Sequence, residues 1–149
     1  MNMLQQLGSH LSGLEQLKTM VEQDLRCGIG ETLDIKMLEA NEDHVVFEAI
    51  PDAHLYNPNN VVHGGFSATM MDFACGYAAL SRVGPGQSIS TVEIKVSYHR
   101  PIDKNTGPIR AEGRVLSGGR RMIFTEARLT DGQGKLLVSA TSSVLVIDI

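Results

Sequence analysis

Tryptophan is absent from the 149-residue sequence, and aromatic residues of all kinds make up only 5%. That argues against an aromatic stacking platform. Basic residues are not in excess. Thirteen Lys and Arg against 17 Asp and Glu give a formal net charge of -4, the wrong sign for a general nucleic-acid binder. No apolar run approaches the roughly 20 residues that a membrane span needs. The N-terminus carries Glu15, Glu22 and Asp24 where a signal peptide would have a cationic start and an apolar run. Cysteines number only two, Cys27 and Cys75, which fits a reduced compartment better than a disulfide scaffold. Cys75 lies in an apolar stretch and reads as a small core residue. Dinucleotide, P-loop and G-x-S-x-G signatures are all missing. His54, His63 and His99 match no compact ligand spacing, so no metal is expected. These absences lead to a cytoplasmic protein with no membrane or nucleic-acid partner.

What is present is an ordinary globular composition, 42% hydrophobic and 20% charged, long enough for one core-bearing domain over residues 1–149. Residues 1–30 form an N-terminal helical extension. Within it Leu11, Leu14, Leu17, Val21 and Leu25 recur at spacings of three and four, predicting an amphipathic helix over residues 10–26 that Gly28 and Gly30 end. Alternation then predicts strands over residues 31–38 and 44–50, joined by a turn at Asn41-Glu42-Asp43. An irregular segment follows, with Pro58 and the asparagines Asn57, Asn59 and Asn60. Next comes His63–Leu80, HGGFSATMMDFACGYAAL, which predicts a helix apolar on nearly every side with one charge, Asp72. After Gly84-Pro85-Gly86 the chain reads as four strands. The first puts Val92, Ile94, Val96 and Tyr98 on one face and Glu93, Lys95, Ser97 and His99 on the other. Later turns fall at Ser117-Gly118-Gly119 and at Asp131-Gly132. Strands grouped on either side of one helix define an α+β layer arrangement, a sheet of about five to six antiparallel strands around one long central helix. Its outermost strands would be left unpaired, and a second copy joined edge to edge would cover one.

The central stretch carries the chemistry. A helix N-terminus offers unpaired N–H groups and a partial positive charge. Glycine there lets an oxygen approach the backbone, where such donors stabilise an oxyanion. Asp72 lies eight residues beyond Gly64, about 12 Å along a helix axis. One carbonyl carbon cannot touch both. If both act on one carbonyl, they come from two antiparallel copies of the helix, and a two-fold dimer holds two equivalent sites.

The set N-x5-HGG-x6-D (Asn57, His63, Gly64, Gly65, Asp72), with TVEIKVSYHRPI at Thr91–Ile102, SGGRR at Ser117–Arg121 and the terminal DGQGKLLVSATSSVLV, resembles the hotdog-fold acyl-CoA thioesterases of the PaaI-like branch. The resemblance spans residues 31–147. It implies that Asp72 acts as general base or nucleophile and that the Gly64 N–H polarises the thioester carbonyl. It further implies that Asn57 orients water or thioester with His63 supporting its loop, and that Ser90 assists the water. Homodimers with active sites at the subunit interface, paired into homotetramers, are also implied. The substrate is then an acyl- or aryl-acyl-CoA, and no cofactor is needed, coenzyme A being part of the substrate. Gly65, Phe66 and Phe73 would line the substrate site, with Gly118, Gly119, Arg120, Arg121 and Arg82 as phosphate contacts. A hotdog enoyl-CoA hydratase and a non-catalytic acyl-CoA-binding module are the alternatives.

Overall fold

The computed structural model describes residues 3–149; residues 1 and 2 of the extension lie outside it. Three short helices come first: α1 (Met3–Gly8), α2 (Gly13–Glu22) and α3 (Gly28–Thr32). The single helix expected over residues 10–26 is therefore shorter. Ser12 caps α2 through a capping box with Glu15, which fixes its start. The strand expected from residue 31 begins later, because α3 takes up its first residues.

Six strands follow: β1 (Lys36–Asn41), β2 (His44–Ala49), β3 (Gln87–Tyr98), β4 (Ile109–Gly118), β5 (Met122–Thr130) and β6 (Leu136–Asp148). They form one sheet in the order β1-β2-β4-β5-β6-β3, antiparallel at every pairing. The hairpin between β5 and β6 is not a two-residue Asp-Gly turn. Asp131 accepts from the N–H groups of Gln133 and Lys135, and the left-handed residue is Gly134 at φ +78°.

Between β2 and β3 runs α4 (Gly64–Leu80), lying along the inner face of the sheet. His63 caps it, its Nδ1 accepting from the Gly65 N–H at 2.8 Å. Met70, Met71, Ala74, Cys75, Ala78 and Ala79 are fully buried beneath it, each large one stabilising the fold by about 1.5–3 kcal/mol. Burial pushes the Cys75 thiol up to about 11, so it is an inert core group. Helix and sheet come close together at Gly113 of β4. A Cβ there would overlap the Ala74 carbonyl oxygen.

One stripe of α4 escapes the sheet. Gly65, Ala68, Thr69 and Asp72 are exposed or half-buried at spacings of three and four. Asp72, the one charge on this otherwise apolar helix, is exposed in the single chain. The outer edge of β3 pairs with nothing among the described residues.

Candidate active site

Two recesses open along α4, one at its start and one at its middle. The first is a cleft of about 380 Å³ lined by Asn57, Val61, Gly64, Ser67, Tyr98 and Arg100, among others. His63 is exposed and its ring is committed to the Gly65 N–H, so Gly65 has no free donor for a ligand. The Gly64 N–H, by contrast, finds no partner among the described residues. It is the one first-turn amide positioned to meet a carbonyl oxygen in this cleft. Asn57 folds its own loop: its Oδ1 accepts from the Asn59 N–H at 2.9 Å. Its side-chain NH₂ is left to donate. Tyr98, which the sequence reading did not single out, donates its hydroxyl to the Gly64 carbonyl at 2.7 Å and so fixes the helix start. The alternation of the strand did place Tyr98 on the helix-facing side, and that was the available signal.

The second recess is a slot of about 240 Å³ lined by Ile29, Thr69, Asp72, Phe73, Gly76, Tyr77, Ile89 and Thr91. Thr91 donates its hydroxyl to Asp72 Oδ1 at 2.8 Å, leaving Oδ2 free to take a proton. The expected hydroxyl, Ser90, is not the one that reaches Asp72. A β-bulge lies between Thr91 and Glu93, and a bulge reverses which residues of a strand face a given side. Ile89 and Thr91 face the helix before it, while after it Ile94 and Val96 pack inward and the Tyr98 hydroxyl reaches the start of α4. Val92 is left 62% exposed. Ser90 consequently lies on the other face.

The expected lining residues separate. Phe73 borders the slot in an aromatic group with Tyr77, edge to face at 5.5 Å, and Phe47. Phe66 does not line either recess; it is core, 5% exposed. A third, basic cleft of about 840 Å³ gathers Arg82, Gly119, Arg120 and Arg121 with Gln87 and Asp148. Arg120 and Arg121 form the tip of the β4–β5 turn, closed by the Gly119 N–H donating to Met122 O at 2.9 Å. Neither guanidinium has an ion-pair partner among the described residues. Arg82 does, gripping Asp43 with two donors. That holds the Asp43 carboxyl below its ordinary range and makes Arg82 first a tie to the β1–β2 turn. Gly118 ends β4 opposite Ile123 and does not line the cleft.

The arrangement has close counterparts. In fold, the chain matches PaaI of E. coli, from the phenylacetic acid degradation operon, with a TM-score of 0.78 at 19% identity over 91% of this chain and 93% of that one. A conserved protein of Pseudomonas aeruginosa superposes with a TM-score of 0.77 at 26% identity, over 84% and 98%. These likenesses define a hotdog fold. In sequence, a Saccharolobus solfataricus protein described as an esterase is 30% identical over 115 residues, 77% of this chain and 80% of that protein. The proofreading thioesterase EntH of Klebsiella pneumoniae is 30% identical over 84 residues, 56% of this chain and 60% of that protein. The profile of the Thioesterase superfamily matches residues 59–138, from the loop before α4 to the start of β6. The chain belongs to that superfamily and is a thioester hydrolase. No helix among the described residues is long and apolar enough to cross a membrane.

Proposed function

We propose that the protein hydrolyses acyl-CoA thioesters to free acid and coenzyme A, at a site that a second copy completes. One observation carries this reading. The unpaired Gly64 N–H and the free oxygen of Asp72 lie on one helix about 12 Å apart, and their recesses are both bordered by β3, one of the sheet's two edge strands. A second β3 pairing antiparallel along that edge sets the two α4 helices side by side. Gly64 of each then meets Asp72 of the other, with the small residue Ala68 midway at the axis. Exposed Leu116 and Phe124 on the outer face of the sheet suit a further pairing of dimers into a tetramer. Two free thiols, Cys27 and Cys75, suit the cytoplasm.

In this site the Gly64 N–H draws electron density from the thioester carbonyl, with the Asn57 amide as second donor. Asp72 Oδ2 takes a proton from attacking water, or attacks the carbon itself to give a mixed anhydride that water then hydrolyses to free acid and Asp72. The thiol leaves as a thiolate, a weak enough base to depart without a proton donor. Thr91 holds the other oxygen of Asp72. Thr91→Val is expected to lower kcat about tenfold, the worth of one hydrogen bond to a charged group. Ser90→Ala should leave kcat unchanged. Equal losses in both, measured on one acyl-CoA, would overturn the assignment.

The basic turn supports coenzyme A as the thiol carrier. Thr91 and Ile123 both pair with Val144, and Arg121 precedes Ile123 by two residues. That puts the turn about 12 Å from Thr91 by strand and residue spacing, within reach of an extended pantetheine arm of about 15 Å. The experiment is a panel of acyl-CoAs with free thiol followed. Hydrolysis fits the proposal; hydration without thiol release, or binding without turnover, defeats it. In the same assay Arg120→Ala with Arg121→Ala is expected to raise KM for an acyl-CoA about tenfold, by loss of charge-assisted phosphate contacts. The KM for the matching acyl-N-acetylcysteamine, which has no phosphate, should stay put. A parallel rise for both removes the turn from the site.

A further inference from the structure

Gly76 is the least expected lining residue of the slot beside Asp72. It sits one helical turn beyond that acid, on the same face of α4. Glycine inside a helix destabilises it relative to alanine, because the chain loses more freedom on folding. Elsewhere in the protein such an omission is forced, as at Gly113, where any Cβ would strike the backbone of α4. At Gly76 it is not. A Cβ there would meet only Ile89 Cδ1, at 3.5 Å, an ordinary contact. Within one chain, then, packing does not require the absence of a side chain. Its effect is to leave open the floor between Phe73, Tyr77 and Ile89.

The slot has a polar mouth, formed by Thr69, Asp72 and Thr91, and an apolar interior. Its volume of about 240 Å³ exceeds the roughly 150 Å³ that suffices for a benzene molecule in a protein cavity. The edge-to-face rings of Phe73 and Tyr77 offer a further ring favourable partners. We infer that Gly76 sets the acyl specificity of the enzyme: by omitting a side chain one turn past Asp72, it opens a slot for a compact apolar acyl group, one aromatic ring or an equal volume, beside the reacting carbonyl. This rests on the thioesterase reading above.

The test compares Gly76→Ala and Gly76→Val with the unaltered protein on acetyl-CoA and benzoyl-CoA. For benzoyl-CoA, kcat/KM is expected to fall about 100-fold in Gly76→Val, the scale on which added methyl groups in a hydrophobic pocket discriminate. Gly76→Ala falls between. Acetyl-CoA, whose acyl group ends near the mouth, changes less than about threefold. A raised Tm for Gly76→Ala shows that the helix is intact. Parallel losses on both substrates, or no loss on either, overturn the inference. Binding of the non-hydrolysable thioether phenacyl-CoA supplies a readout independent of turnover. Its Kd rises at least tenfold in Gly76→Val while that of free coenzyme A does not. If this holds and the unaltered protein cleaves no thioester, the slot stands and the hydrolytic reading falls. If phenacyl-CoA binds both forms equally, the slot falls whatever the activity.

Discussion

Asp72→Asn is expected to lower kcat for acyl-CoA hydrolysis by about 10³, the range lost when a positioned proton acceptor is removed. The substitution preserves shape and lets the Thr91 hydroxyl, 2.8 Å from Oδ1, keep an oxygen to donate to. Fold and KM should therefore change little. What disappears is the ability of the second oxygen to take a proton or to form a bond. No other carboxylate lines either recess of α4, so none is placed to substitute. Steady-state kinetics on a single good substrate, with thermal denaturation as the control, decides the matter. Retention of more than about a tenth of the activity would show that another group activates the water.

Gly113→Ala is expected to have the largest effect on stability. Its Cβ would overlap the Ala74 carbonyl, a backbone atom in the buried middle of α4 that cannot step aside alone. Either the strand or the helix must move. Forced overpacking of this kind costs about 3 kcal/mol, which for a chain of this size lowers Tm by roughly 6–12 °C. Gly119→Ala is the matched control, because a Cβ there meets nothing within 4 Å. Thermal unfolding followed by circular dichroism reads both. A drop below about 2 °C for Gly113→Ala would mean that helix and sheet are not in the close contact described.

Much of the architecture could be read from the residues. The start of α4 was legible because histidine and two glycines before an apolar run form a recognisable cap, and the observed helix does begin at Gly64. Strand alternation located β2 and β4, and the turn signals at Ser117-Gly118-Gly119 and Asp131-Gly132 bounded β5 and β6. The misreadings have distinct physical causes. The family resemblance points to Ser90 by its place eighteen residues past Asp72, and no residue in the run announces the bulge at Val92 that leaves Thr91 on the helix side instead. Composition makes α4 look apolar on nearly every side. Which stripe of it stays uncovered depends on β3 landing at the end of the sheet, a long-range outcome with no local sign. Arg82 reads as a free phosphate contact in the sequence because its partner, Asp43, lies 39 residues earlier. Phe66 is one of many apolar residues on α4, and periodicity does not tell a core phenylalanine from one beside a ligand.

The lone outer edge of β3 also bears on inheritance. If each reaction centre draws Gly64 and Asn57 from one chain and Asp72 from the other, then damage at Asp72 and damage at Asn57 fall on opposite halves. Two defective alleles, one of each kind, would between them build one sound centre in every mixed pair. Such rescue in trans is closed to an enzyme whose working groups all belong to a single polypeptide.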